Sequence, residues 1–274
     1  LDNNKGSDLA KGWKYLVDTP TASDSIYRYA ELESLKVADF ASGSGHILNE
    51  FFDMLYSFYE EDAYDSREAV ECIFRKNLIG IDLDTRAKQL SMFSLLLKAC
   101  QKNAKFVDAS VLPRILDMPD VEPNGYTWKE VGGHFCCRFD FEAPERASKE
   151  LLEAFTLLGN ARNLGSTMKF NVGNATREYM QRCLQYRDEH PEAFDGYEAD
   201  FAPIFESFEL ILALTDKYSA IAMNPPYMGI GNMNTELSSY VKKAYPNGKT
   251  DLFSVFMDVA IDRLAEKAKY GMIN

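Results

Sequence analysis

Leu35-Lys36-Val37-Ala38-Asp39-Phe40-Ala41-Ser42-Gly43-Ser44-Gly45-His46-Ile47-Leu48 decides the reading of this chain. Its apolar start ends at a cluster of small residues, the form of a buried strand entering a tight turn. Ile47, Leu48, Phe51, Phe52, Leu55 and Phe58 then recur at helical spacing. The pattern comes a second time. Asn77-Leu78-Ile79-Gly80-Ile81 reads as a strand with Asp82 and Asp84 at its end, and Leu90, Phe93, Leu96 and Leu97 read as the face of a helix that Asp84 caps. A third strand, Lys105-Phe106-Val107, is expected to end at Asp108. Strands alternating with helices build a parallel sheet, and ligands of such sheets bind at the carboxyl ends of the strands. Asp39, Asp82 and Asp108 are expected there together.

Beyond this unit the rhythm breaks. Pro113, Pro119 and Pro123 mark an irregular exit, and helical patterns follow near 147–158, 175–186 and 198–214. Residues from about 110 to 215 therefore read as a mostly helical insertion. The sheet resumes at Tyr218-Ser219-Ala220-Ile221-Ala222-Met223, which runs straight into Asn224-Pro225-Pro226-Tyr227. After a loop over 229–234, Asp251 is expected to cap a helix with Phe253, Phe256, Met257, Ala260 and Leu264 on one face. Tyr270-Gly271-Met272-Ile273 reads as the opening of another strand. The expected organisation is a lead-in over 1–34 from an upstream region, then a catalytic domain over 35–274 that stops short of its own end.

The chain of 274 residues carries 30 Lys and Arg against 42 Asp and Glu, a net charge of −12. With 46% hydrophobic and 26% charged residues it has globular composition, which excludes disordered and collagen-like classes. No apolar stretch is long enough for a bilayer, and Leu1 to Lys5 lack a secretion signal's apolar core, so a cytoplasmic protein without a membrane partner is expected. The five cysteines, Cys72, Cys100, Cys136, Cys137 and Cys183, form no C-x-x-C pair, and neither a disulfide framework nor a metal site is expected. The acidic balance argues against a strong nucleic-acid surface on this segment alone.

The glycine turn lacks the third glycine of the dinucleotide fingerprint, where Leu48 stands, and lacks the Gly-Lys of a P-loop. It suits a ligand without phosphates. Asp39 is available to an ammonium group and Asp82 to a ribose diol. S-adenosylmethionine has both.

Asn224-Pro225-Pro226-Tyr227 at a strand end suits attack by an exocyclic amine. Such a nitrogen is a poor nucleophile because its lone pair is delocalised into the ring. The Asn224 side-chain oxygen and the Pro225 carbonyl, accepting its two hydrogens, favour a tetrahedral nitrogen whose lone pair is free. Pro225 and Pro226 restrict the backbone and so preorganise these acceptors. Tyr227 offers a face on which an extruded base can stack.

This order of turn, acids and Asn-Pro-Pro-Tyr resembles the amino-group DNA methyltransferases that use S-adenosylmethionine. More narrowly, Gly43 to Leu48, Ile79 to Asp84, Asn224 to Gly229 and Lys249 to Phe253 are similar to adenine-specific methyltransferases of bacteriophage-exclusion systems and to the methylase part of single-chain restriction-modification enzymes. The resemblance implies an α/β fold of the Rossmann-like S-adenosylmethionine-dependent class with a helical insertion. It implies a cofactor site of Asp39, Ala41, Gly43, Gly45, Asp82, Leu83, Asp108 and Ala109, and a target-base site of Asn224, Pro225, Pro226 and Tyr227. It further implies methylation of adenine N6 in double-stranded DNA for phage defence or restriction-modification, with defence-system subunits as partners and the DNA read by a specificity domain outside these residues. Phe40 and Ser42 stand where the family's turn usually carries Pro and Cys, and Asp18-Thr19-Pro20 stands in for an upstream cofactor-binding segment. The same motif also serves methylation of glutamine amides, RNA bases and cytosine N4, and a methyltransferase fold that only binds partners is the remaining alternative.

Overall fold

The computed structural model describes residues 7–13, 26–108 and 111–273. The Asp18-Thr19-Pro20 segment and Ala109 lie outside them.

In chain order, β1 (Val37–Asp39) is followed by α1 (His46–Glu61), α2 (Ser66–Cys72), β2 (Leu78–Ile81), α3 (Thr85–Lys102) and β3 (Arg114–Leu116). A helical block follows: α4 (Tyr126–Cys136), α5 (Ala147–Leu158), α6 (Ala161–Leu164), α7 (Asn174–Glu189) and α8 (Glu198–Thr215). Then come β4 (Tyr218–Met223), α9 (Thr235–Ala244), α10 (Leu252–Arg263) and β5 (Leu264–Met272). The strands form one sheet in the order β3-β2-β1-β4-β5, with every pairing parallel. This is the expected α/β, Rossmann-like architecture, whose winding reverses at β1.

Alternation along the strands separates two cores. Val37, Leu78 and Ile115 face α1 to α3 and pack with Leu48, Phe52, Ile73 and Leu95. Ala38, Phe40, Ile79 and Ile81 face the helical block, α9 and α10. Phe135 anchors the block's aromatic centre, with Phe201, Phe205 and Phe208 at centroid distances of 5.3, 5.2 and 5.6 Å.

Two expectations need correction. Residues 105–107 are not a strand: Ala104–Asp108 is a 3-10 helix, started by Asn103, whose side-chain oxygen accepts from the Lys105 N–H at 3.0 Å. Phe106 plugs the core against Phe74. The third strand lies later, at Arg114–Leu116, so the insertion begins after it rather than at 110. The acid that ends this strand is Asp117, and it is taken up by Thr85 Oγ1 at 2.8 Å and Lys88 Nζ at 2.6 Å.

The face of α3 is also turned. Leu90, Phe93 and Leu97 are exposed, while Ser91, Leu95 and Ala99 are buried. The small residues let α3 approach α1 closely, where Asn49 donates to Ser94 Oγ and Asp53 pairs with Lys98.

Three contacts tie the helical block to the end of β1 and to the helices α9 and α10. Ser166 Oγ donates to the Phe40 carbonyl at 2.5 Å, and Tyr245 Oη donates to the Thr167 carbonyl at 2.5 Å. Buried Arg263 donates to the carbonyls of Leu214 and Met168, at 2.8 Å each, with its guanidinium 5.1 Å from the Phe40 ring centre. Burial pulls that guanidinium down from its ordinary pKa.

The turn after β1 depends on glycine at two positions that differ in kind. Gly45 has φ +85°, and a Cβ there meets Ser91 Oγ at 2.4 Å and Ser91 Cα at 3.1 Å; Gly43 has φ +51° with open space around it. Gly45→Ala is expected to cost about 2–4 kcal/mol from combined strain and overpacking, and Gly43→Ala only about 1 kcal/mol. Urea unfolding of the two variants checks this; equal losses contradict the close contact with Ser91.

Candidate active site

The glycine turn hangs from two carboxylates. Asp39 closes β1 and is only 1% exposed; its Oδ1 accepts the Ala41 N–H at 2.9 Å. Burial pushes its carboxyl up to about 7; the Ala41 N–H opposes this, and the neighbouring charge of Asp82 adds to it. Asp82 crosses from β2 to hold the turn. Its Oδ2 accepts the Gly43 N–H at 2.7 Å and its Oδ1 accepts the Asp84 N–H at 3.0 Å. Each oxygen keeps a further lone pair for a ligand.

At the end of β4 the chain bends through the double proline. Asn224, Pro226 and Met228 line one cavity, while Pro225 is buried and not among its lining residues. Tyr227 points elsewhere. Its ring stacks on Phe253 at 5.8 Å and 12°, its hydroxyl donates to the Ile273 carbonyl at 2.8 Å, and 60% of it stays exposed. The bend is clamped from behind: Leu252 N–H donates to the Met228 carbonyl at 2.8 Å, and Ile230 N–H to the Thr250 carbonyl at 3.0 Å. Asp251 then caps α10 by accepting from the Phe253 N–H.

The cavity has a volume of about 650 Å³, enough for a nucleoside and part of a second ring. Ala41, Gly43, Asp82 and Leu83 form one side; Asn224, Pro226 and Met228 form the other. The ends of β1, β2 and β4 thus open onto a single space. Asp39 and Gly45 sit behind the turn rather than in the wall, and Asp108 ends the 3-10 helix instead of a strand.

A third wall was not foreseen. Arg162 to Thr167, from the helical block, close the cavity opposite the sheet. The chain reverses there at Gly165, whose φ of +54° and ψ of −146° belong to a region open essentially to glycine alone. Asn163 Oδ1 accepts from Asn234 Nδ2 at 2.9 Å, joining this wall to the loop after the double proline. Gly165-Ser166 between two helical patterns was the available signal.

The lining suits a nucleoside without phosphates, since it offers a carboxylate and amides, and its cation, Arg162, is exposed at the rim beside Asp120. Among the described residues, no group of three or more His, Cys, Asp or Glu could hold a metal, and no helix is long and apolar enough to cross a membrane.

Comparison with known proteins agrees with this geometry. The chain is 30% identical over 259 residues to the adenine-specific methyltransferase BrxX of Escherichia coli O9:H4 (strain HS), a match covering 89% of this chain and 21% of that protein. It is 29% identical over 272 residues to the adenine-specific methyltransferase PglX of Lacticaseibacillus casei (strain Zhang), covering 95% and 22%. The chain therefore spans about a fifth of the length of these relatives. A model of the Eco57I restriction-modification methylases matches residues 76–274. That match takes in most of the chain, including β2, the insertion and the Asn-Pro-Pro-Tyr corner, and the chain belongs to the Eco57I restriction-modification methylase family.

Proposed function

We propose that this chain transfers a methyl group from S-adenosylmethionine to the N6 amino group of adenine in DNA, within a bacterial phage-defence or restriction-modification system. The observation that carries this reading is the single cavity shared by the glycine turn and the Asn224 corner. The similarity to the adenine-specific methyltransferases BrxX and PglX supports the choice of adenine.

When bound, the cofactor supplies an electrophilic methyl on a sulfonium. Asp82 accepts from the ribose hydroxyls with its remaining lone pairs, Ala41 and Leu83 border the adenine, and open Gly43 admits the ligand close to the backbone. Asp39, buried behind the turn, would act on the ammonium through its charge and through the Ala41 N–H that it holds. The Asn224 side-chain oxygen and the Pro225 carbonyl would accept the two hydrogens of the target amine and free its lone pair; as the N–C bond forms the C–S bond would break to leave a neutral thioether, and the methylated nitrogen would release one proton to solvent. Tyr227, stacked on Phe253 outside the cavity wall, keeps an exposed ring on which a base extruded from the duplex could stack. The charge of −12 over the 274 residues leaves this segment little surface for a phosphate backbone, and the relatives, of which it spans about a fifth, have length for a separate DNA-reading region.

Methyl incorporation from labelled cofactor into DNA, RNA and protein tests the reading. Label in DNA adenine is expected; label confined to protein rejects it. Asn224→Ala is expected to lower methyl transfer by about 10²–10³-fold, the scale for loss of one preorganised transition-state partner. Its cofactor affinity should stay within about twofold, and unchanged transfer removes Asn224 from the chemistry.

Asp39 gives a pH signature. Its folded pKa is raised to about 7, so the free protein holds it neutral below that pH, and binding a cation must expel the proton. Cofactor affinity is expected to fall as pH drops below 7, approaching tenfold per unit for one released proton. Calorimetry from pH 7.5 to 5.5 measures this; a flat profile, or the same slope in Asp39→Asn, contradicts it.

A further inference from the structure

At the amino edge of the sheet, opposite the cavity, a second cleft of about 250 Å³ opens among the strand starts. Lys36 precedes β1, Lys76 stands two residues before β2, Arg114 opens β3, and Arg177 reaches across from α7; all four line the cleft. One carboxylate, Asp216, lines the cleft with them, and Glu33 lies near Lys76 beyond ion-pair distance. Asp216 pairs with Lys36 at 2.6 Å and lies 3.9 Å from Arg177. Lys76 and Arg114 have no carboxylate within ion-pair distance among the described residues, and both are exposed.

Four cations against one acid is the reverse of the chain's overall balance. Like charges gathered in a concave site repel one another and raise the local concentration of anions. Arg177 Nη1 donates to Thr215 Oγ1 at the C-terminal end of α8, where the helix dipole favours a cation. The guanidinium groups of Arg114 and Arg177 have the fork that binds a tetrahedral oxyanion through two N–H groups, and the lysines add point charges. Gln181 on the α7 wall supplies a neutral amide.

We propose that this cleft is a binding site for a small phosphate-bearing anion of phosphate to diphosphate size. Its volume falls below the range of sites that enclose a nucleotide. A nucleoside di- or triphosphate therefore leaves its base outside. The site is separate from the transfer cavity, shares no lining residue with it, and does not depend on the proposed methyl transfer.

Calorimetric titration of inorganic pyrophosphate into the full chain at low salt tests the assignment. One saturable site is expected. The Lys76→Ser, Arg114→Ser double variant, which breaks no ion pair seen here, should bind at least tenfold more weakly while keeping the same thermal midpoint and S-adenosylmethionine affinity. Parallel titrations with inorganic phosphate and with ATP separate the sources: equal pyrophosphate and ATP affinity points to the free anion, and tighter ATP binding points to a nucleotide whose base lies against the rim. No saturable binding by any of the three overturns the proposal, as does equal binding by the double variant. A 5′-hydroxyl DNA duplex that binds through Lys76 and Arg114 more tightly than pyrophosphate also overturns it, by assigning the surface to a nucleic-acid backbone.

Discussion

Parallel pairing of β1 with β4, through Val37 to Ala220 and Ala38 to Ile221, is the constraint from which the site follows. On its other side β1 pairs with β2. Connections therefore leave β1 in opposite directions, and their loops part above its carboxyl end. A crevice at such a reversal is unavoidable. The chain places its glycine turn on one bank and the double-proline bend on the other, so a donor and an acceptor of a group meet there without further device.

What gives the crevice its third wall is the insertion. Its Gly165 turn is pinned to β1 through Ser166 and Phe40, and to α9 through Tyr245 and Thr167. Arg263 fixes the same junction from below by satisfying carbonyls of Leu214 and Met168. A buried guanidinium without a carboxylate is tolerable only because its N–H groups are spent on backbone oxygens. The helical block is thus part of the site's wall.

Much of this was legible in the sequence, for identifiable reasons. The strand at 218–223 and the helix at 147–158 were read with their observed bounds, since each has strong periodicity between clear stops. Asp84 and Asp251 announced their helices because capping is a local interaction. The third strand was misplaced because Phe106 and Val107 are a short apolar pair, and Asn103 starts a helical turn that outweighs their strand preference. The face of α3 was misread because close helix packing selects small residues such as Ser91 and Ala99, which apolar periodicity does not count. Among the proposed site residues, Ala41, Gly43, Asp82, Leu83, Asn224 and Pro226 share the cavity, whereas Tyr227 turns toward Phe253. Direction after a double proline depends on contacts from residues 250–252, which no local pattern near Asn224 encodes.

The central claim is that methyl donor and target amine occupy one space between β1 and β4. A crystal structure with S-adenosylhomocysteine and a short adenine-containing duplex tests it most directly. The account predicts the cofactor sulfur above Gly43, its ribose on Asp82, and an extruded amine hydrogen-bonded to Asn224, close enough to the sulfur to admit a methyl in line. A cofactor bound outside this cavity, or an Asn224 side chain that faces no base while the cofactor is seated, would contradict it.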